Sequence, residues 1–187
     1  MMIKVCGITR QEDAGVAAEA GASAIGFIFY PPSPRCITPE RAAALGEGLD
    51  LWKVGIFVDE TPAAIAAVMR AANLDVAQIY GGGAPAGARI WKAFRIADSF
   101  DGALGEGCEA VFLDSAKNGM SFDWKLARNA AAKVIVAGGL DASNVAEAID
   151  AAKPWGVDAS SKLESAPGIK DHDRVRAFVK AAREATW

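Results

Sequence analysis

KVCGITR, residues 4–10, marks the end of a β-strand and the start of a helix. Every second side chain before Gly7 is apolar, which is the pattern of a strand with two different faces. Gly7 interrupts that pattern, and Thr9 is of a type that caps helices. The stretch therefore predicts that Cys6 lies at the carboxyl end of a first strand, on the same face as Lys4.

Cys6 has two interpretations at this point. In parallel α/β proteins, ligands bind at the carboxyl ends of the strands. A thiol in that place can act as a base or a nucleophile, because its reference pKa of about 8.5 is readily lowered. Cysteine is also among the most often buried residues, so the other interpretation is a small apolar side chain within a buried strand.

The order of strand and helix is repeated along the whole chain. Apolar runs alternate with alanine-rich helical patterns, and the runs resemble parallel strands buried on both faces. They occupy residues 3–6, 23–30, 52–58, 75–80, 89–96, 109–114, 133–139 and 154–160. Eight strands in this order predict an α/β fold, a single (β/α)8 TIM barrel spanning residues 1–187. An open doubly wound sheet is the alternative, although it rarely has eight strands in so short a chain.

Two connections are poor in helix-forming residues, so helices 4 and 5 are expected to be trimmed. Residues 81–88 are rich in glycine, and residues 97–109 suit only a short helix. Other connections have clearer signals, since Thr38 and Thr61 each precede a proline at a predicted helix start. Residues 123–132, DWKLARNAAA, also have a helical pattern.

The composition argues against several classes of protein. Hydrophobic residues make up 52% of the 187 residues, and the net charge is −3 without a basic block. Nucleic acids and anionic membranes are therefore not expected as partners. No apolar run approaches the roughly 18 residues of a membrane span, and the first residues lack a signal-peptide pattern. Three widely separated cysteines fit reduced thiols in the cytoplasm.

The single histidine limits the possible chemistry. His172 lies in the charged stretch KDHDR, where we expect a solvated surface residue at a helix start. Serine–histidine and cysteine–histidine nucleophile systems are then excluded, as are histidine-rich metal sites. Acid–base chemistry must come from Cys, Asp, Glu, Lys or Tyr.

Two charged residues at the ends of predicted strands are candidates for binding and catalysis. Arg35 follows three prolines in the loop after the second strand, and a guanidinium held there can bind a carboxylate with two hydrogen bonds. Asp114 ends the sixth strand, where burial raises the pKa of a carboxyl group and makes it a general acid. The alternatives are a surface arginine and an aspartate that caps a helix or a loop.

The loops after the seventh and eighth strands suggest a phosphate site. Gly138 and Gly139 follow the seventh strand, and Ser160 and Ser161 follow the eighth. Many barrels bind phosphate between these two loops, where backbone N–H groups face the anion. The alternative is that the glycine pair simply ends a strand. A phosphate site would imply a phosphorylated substrate but no particular reaction.

These motifs together resemble the phosphoribosylanthranilate isomerase family of tryptophan biosynthesis. The matching stretches are KVCGITR, GFIFYPPSPRCITPE, VGIFVDE, VFLDS, FDW, VAGGL, NVAEAI and GVDASSKLESAPGIKD, in that order from the first strand to the last helix. The resemblance implies a (β/α)8 barrel, monomeric or homodimeric, that needs no cofactor and no metal. It also implies an Amadori rearrangement that converts N-(5-phosphoribosyl)anthranilate into 1-(2-carboxyphenylamino)-1-deoxyribulose 5-phosphate.

The resemblance assigns roles to particular residues. Cys6 corresponds to the general base that removes the C2 proton, and Asp114 to the general acid that protonates the ring oxygen. Arg35 corresponds to the residue that holds the anthranilate carboxylate. The residues expected near the phosphate or the rest of the substrate are Gly138, Gly139, Asp158, Ser160 and Ser161.

The chain departs from the family pattern at three places. Tyr80 stands where the family commonly has histidine, and Lys162 follows the serine pair where glycine is more usual. The loop after Asp114 is short and lacks the family's glycine-rich run. These departures keep open a second hypothesis, a non-catalytic or weakly active barrel that binds a phosphosugar. A third hypothesis, an epimerase or an indole-forming enzyme on the same barrel, calls for metal-binding histidines or a Lys/Glu pair at the strand ends.

Overall fold

A computed structural model describes residues 1–96, 99, 107–116, 121–130 and 133–185 of the chain. Within them, eight parallel strands follow one another around a closed barrel, and the first strand pairs with the last. The strands are β1 (Met2–Cys6), β2 (Ala24–Ile28), β3 (Trp52–Phe57), β4 (Val76–Ile79), β5 (Ile90–Ile96), β6 (Ala110–Ser115), β7 (Lys133–Val136) and β8 (Gly156–Ala159). The predicted (β/α)8 barrel is confirmed.

The described helices lie around this barrel. They are α1 (Gln11–Ala20), α2 (Pro39–Gly46), α3 (Pro62–Ala71), α4 (Val145–Ala152) and α5 (His172–Glu184), with short 3₁₀ helices at Trp124–Asn129 and Ser161–Leu163. Between β8 and α5, the strands β9 (Glu164–Ala166) and β10 (Ile169–Lys170) form an antiparallel hairpin. The sequence patterns did not predict this hairpin.

The connections differ from one another much as the sequence predicts. Residues 80–89, between β4 and β5, contain no helix, so the trimming of helix 4 is confirmed. Most of the predicted short helix 5, in residues 97–109, lies outside the described residues. Residues 123–132 were expected to be helical, but their described part is the 3₁₀ helix that begins after Asp123, whose carboxylate accepts from the Lys125 N–H.

The predicted caps are only partly correct. Thr38 and Thr61 cap α2 and α3, each accepting a backbone N–H three residues further on. Thr9 does not cap α1, because Arg10 occupies the N-cap position. The Thr9 hydroxyl instead donates to the carbonyl of Gly168 at the tip of the hairpin. It therefore ties the loop after β1 to the β9–β10 hairpin.

The core consists of two layers that explain where the barrel opens. Ile3 and Val5 of β1 pack outward in the layer between barrel and helices, while the alternate side chains point inward. Trp52, Trp91 and Trp155 fill the interior at the amino ends of the strands, with neighbouring ring centroids about 6 Å apart. This end is filled with aromatic side chains, so the barrel opens at the carboxyl ends.

Candidate active site

A cavity of about 480 Å³ occupies the carboxyl end of the barrel. All of the residues that the sequence nominated for the site line it, namely Cys6, Arg35, Asp114, Gly138, Gly139, Asp158, Ser160 and Ser161. Gln78, Tyr80, Arg95 and Lys162 are among its other lining residues. Since Ile56 of β3 also lines the cavity, the structure brings residues from all eight strands or their loops to one place.

Cys6 lies on the inner face of β1, at the base of this cavity, and is only 6% exposed. Gly26 of β2 makes room for it, since a Cβ on Gly26 would stand 2.8 Å from Cys6 Sγ and 3.1 Å from Lys4 Cε. Burial raises the pKa of the Cys6 thiol above its ordinary value, and the neighbouring Lys4 ammonium works in the opposite direction. The resting thiol is therefore protonated but lies next to a cation.

That cation is part of a buried ion pair. Lys4 is fully buried, and its Nζ donates to Asp158 Oδ1 at 2.7 Å and lies 4.9 Å from the centre of the Phe112 ring. Burial lowers the pKa of Lys4, but Asp158 and Cys6 outweigh it and the net direction is upward. Lys4 therefore stays charged beneath the cavity. Sequence reasoning placed Lys4 on the same face as Cys6 but gave it no role.

Asp114 lies near the carboxyl end of β6, three strands away from β1 around the barrel. Its Oδ2 accepts a hydrogen bond of 3.0 Å from the Tyr80 hydroxyl. Burial raises the pKa of the Asp114 carboxyl, and the hydrogen bond from Tyr80 partly opposes that rise. The pKa of Asp114 is raised overall, so its carboxyl group holds a proton more readily than an exposed aspartate does.

Arg35 is held by a residue that the sequence did not nominate. Its Nε and Nη2 donate to the two carboxylate oxygens of Glu164 at 2.7 and 2.6 Å, and Lys170 Nζ donates to Glu164 Oε1 at 2.9 Å. Burial raises the pKa of Glu164, but its two cationic partners together lower it by more than burial raises it, so the pKa lies below its ordinary value. A charged Glu164 therefore fixes one edge of the guanidinium at the cavity wall. Glu164 and Lys170 were missed because the hairpin that carries them was not predicted.

The two loops expected to bind phosphate lie side by side on the cavity wall. Gly138 and Gly139 have φ angles of +90° and +67°, a conformation that favours glycine. Asn144 Nδ2 donates to the Gly139 carbonyl at 2.9 Å and holds this turn. On the other loop, the Ser160 hydroxyl donates to the Cys6 carbonyl at 3.1 Å, which links the loop to β1.

His172 is less exposed than the sequence predicted. Its side chain is 35% exposed, and Nε2 lies 3.0 Å from Oδ1 of the fully buried Asp13. Asp13 also accepts the backbone N–H of Lys170 at 3.1 Å. His172 begins α5, as the sequence predicts, but its partly exposed ring also caps a buried carboxylate between α1 and the hairpin. It does not line the cavity.

In the described part of the chain, no group of three or more His, Cys, Asp or Glu side chains is placed to hold a metal ion. None of the helices in the same residues is both long enough and apolar enough to cross a membrane.

Comparisons with known proteins agree on one family. A family model described as N-(5'-phosphoribosyl)anthranilate (PRA) isomerase matches residues 3–181. A relative named N-(5'-phosphoribosyl)anthranilate isomerase, from Solibacter usitatus, is 48% identical over 197 residues, which cover 99% of this chain and 98% of the relative.

Solved structures give the same result. Phosphoribosyl anthranilate isomerase from Thermus thermophilus superposes with a TM-score of 0.90 at 33% identity, covering 98% of this chain and 99% of that one. A phosphoribosyl anthranilate isomerase in complex with reduced 1-(o-carboxyphenylamino)-1-deoxyribulose 5-phosphate superposes with a TM-score of 0.86 at 34% identity, again covering 98% and 99%. The chain therefore belongs to the N-(5'-phosphoribosyl)anthranilate isomerase family, the isomerase of tryptophan biosynthesis that its sequence motifs predict.

Proposed function

We propose that the cavity converts N-(5-phosphoribosyl)anthranilate into 1-(2-carboxyphenylamino)-1-deoxyribulose 5-phosphate, with Asp114 as general acid and Cys6 as general base. The observation that carries these two roles is their placement. A carboxyl group whose pKa is raised by burial and a thiol beside a buried ammonium line one cavity, from separate strands.

The first step is the opening of the ribose ring. Asp114 gives its proton to the ring oxygen, the bond between that oxygen and C1 breaks, and the nitrogen lone pair forms a C=N bond to C1. The iminium that results acidifies the proton on C2. A carboxyl group with a raised pKa suits this step, because it holds its proton more readily than an exposed aspartate does.

The second step is the removal of the C2 proton by Cys6, which first gives up its own thiol proton to solvent and acts as the thiolate. Burial makes this thiolate a strong base, because its charge is poorly solvated. Lys4 and Lys170 both lower the pKa of the thiol and so stabilise the thiolate when it forms. Loss of the proton gives an enol-amine, which becomes the product ketone when C1 takes up a proton and the hydroxyl on C2 gives one up.

The remaining nominated residues bind the substrate in this proposal. Arg35, fixed by Glu164, binds the anthranilate carboxylate, and the Gly138–Gly139 and Ser160–Ser161 loops bind the phosphate. Asp158 lies beside the reacting atoms and holds Lys4 in place. Together they fix the two ends of the substrate, so that C1 and C2 lie between the acid and the base.

We also propose the setting in which the protein works. It acts as one barrel domain over residues 1–187, as a monomer or a homodimer, on a small phosphorylated substrate and without nucleic-acid or membrane partners. Cys6 and Cys36 are free thiols, which fits the reducing cytoplasm.

The experiment is to mix the purified protein with N-(5-phosphoribosyl)anthranilate and follow the anthranilate fluorescence. Steady, enzyme-dependent loss of fluorescence with formation of the carboxyphenylamino-ribulose phosphate supports the proposal. The competing hypothesis of a phosphosugar-binding barrel without catalysis predicts another outcome, in which phosphate raises the melting temperature of the protein but the substrate is not turned over.

A further inference from the structure

Tyr80 occupies a place in the cavity from which it reaches Asp114. It directly follows β4, whereas Asp114 belongs to β6, and β5 lies between these two strands. The strands β4 and β6 are therefore separated by two strand spacings, or roughly 10 Å, and the long phenol side chain spans this distance. Its hydroxyl comes within 3.0 Å of Asp114 Oδ2. This contact crosses the barrel mouth and connects two residues that are 34 positions apart.

The neighbours of Tyr80 determine the direction of this hydrogen bond. Gln78 Nε2 donates to the Tyr80 oxygen at 3.4 Å, which leaves the hydroxyl hydrogen for Asp114. The guanidinium of Arg95 lies 5.7 Å from the centre of the Tyr80 ring and supports the ring from the side of β5. Tyr80 is therefore held from two sides in the orientation that donates to Asp114.

Tyr80 remains a donor whatever the state of its neighbour. Burial and the charge of Asp114 raise the pKa of the Tyr80 hydroxyl well above its ordinary value. The hydroxyl therefore keeps its hydrogen near neutral pH. It is too weak an acid to replace Asp114, but it can always hydrogen-bond to the carboxylate.

We propose that Tyr80 is a positioning residue for Asp114, which selects the carboxyl oxygen that delivers the proton and stabilises the carboxylate that remains. Because Oδ2 accepts from Tyr80, the acidic hydrogen is carried by Oδ1 and is directed to the substrate. Once that hydrogen has moved to the ring oxygen, the same hydrogen bond becomes charge-assisted and stronger. The contact thus favours the state after proton transfer over the state before it, which is how a hydrogen bond accelerates a reaction.

The inference rests on the proposed role of Asp114 as the acid, and its test is Tyr80→Phe. This change removes the hydroxyl and keeps the ring against Arg95, so the fold should persist. Loss of one hydrogen bond to a charged group predicts that kcat falls about tenfold, with KM changed by less than about twofold. It also predicts that the pKa of Asp114 rises by about one unit, because the contact that favours the carboxylate is lost.

The pKa of Asp114 is measured directly, by ¹³C NMR titration of protein labelled at its aspartate carboxyl carbons, with Asp114→Asn identifying the resonance. Tyr30→Phe is the matched control, since it removes the chain's other tyrosine hydroxyl, which also belongs to the cavity wall. It should leave the Asp114 titration unchanged. A residue that only filled space would not move this titration.

Failure of this inference and failure of the proposed acid can be told apart. If Asp114→Asn is inactive while Tyr80→Phe keeps both the wild-type kcat and the wild-type Asp114 titration, the role of Tyr80 is overturned and that of Asp114 stands. If Asp114→Asn keeps near-normal kcat, both are overturned. A loss in Tyr80→Phe that lies entirely in KM also overturns the positioning role, because it would mark Tyr80 as a substrate-binding residue.

Discussion

Lys4 Nζ lies 2.7 Å from Asp158 Oδ1, and this buried ion pair is directly next to the Cys6 thiol. The first prediction is that Lys4→Met destabilises the protein by about 3–5 kcal/mol, because it leaves the buried Asp158 charge without its partner. Methionine has a similar length, so lost packing contributes little. Urea unfolding measures the change in the free energy of unfolding.

The same variant should also weaken the base. Lys4 lowers the pKa of Cys6, so its removal raises that pKa, and alkylation of Cys6 by iodoacetamide then needs a higher pH. Lys153→Met is the matched control, because its pair with Asp150 has the same 2.7 Å distance but both side chains are well exposed, at 40% and 84%. Lys153→Met should lower the free energy of unfolding by less than about 1 kcal/mol. Equal losses in the two variants would contradict the account of the buried pair.

A second prediction separates the carboxylate site from the phosphate site. Arg35→Ala should raise KM for N-(5-phosphoribosyl)anthranilate about 10- to 100-fold, because a charge-assisted hydrogen bond to its carboxylate is lost. Ribose 5-phosphate lacks that carboxylate, so its inhibition constant should stay within about twofold of wild type. Equal weakening of both compounds would show that Arg35 acts on the phosphate or on the whole loop instead.

A third prediction concerns Gly7, which lies between the base and Arg35. A Cβ at Gly7 would stand 2.7 Å from Arg35 Cδ and 3.0 Å from Ser160 Oγ, and the φ angle of Gly7 is +75°. Gly7→Ala should therefore lose about 1–2 kcal/mol of stability through backbone strain and also displace the Arg35 stem. We expect KM to rise in parallel with the loss of stability.

Gly87 provides the control for this substitution. Its φ angle is also +75°, but among the described residues, its chain neighbours aside, none has an atom within 4 Å of the position of a Cβ. Gly87→Ala should show a similar loss of stability, measured by thermal unfolding, and keep the wild-type KM. If Gly7→Ala also keeps the wild-type KM, the close contact with Arg35 does not matter for substrate binding.

The sequence was sufficient to predict the barrel and the position of the cavity. Alternation in β1 places Cys6 on the inner face, and the carboxyl ends of the strands necessarily meet at one mouth. Asp114 follows from its place at a strand end, and Arg35 from its place in the proline-rich loop after β2. These features are local, so they can be read from a few neighbouring residues.

The contacts that tune the site could not be predicted in this way. The partners of Lys4 and Arg35 lie 154 and 129 positions away, in β8 and in β9 of the hairpin. The hairpin strands are three and two residues long, too short for an alternating pattern. The sequence showed Tyr80 only as a departure from the family pattern. Its hydrogen bond to Asp114 could not be predicted, because it joins the residue directly after β4 to a residue of β6, on the other side of β5. Such pairs are distant in the sequence and come into contact only in the closed barrel.

The acid–base roles of Cys6 and Asp114 are tested most directly by kcat for the folded variants Cys6→Ser and Asp114→Asn. It is measured as the loss of anthranilate fluorescence at saturating substrate, with Cys108→Ser, near the amino end of β6, as a control that keeps its rate. We predict that each of the first two variants loses at least about 100-fold in kcat while its melting temperature stays close to that of wild type. A near-normal kcat in either variant would contradict the role assigned to that residue.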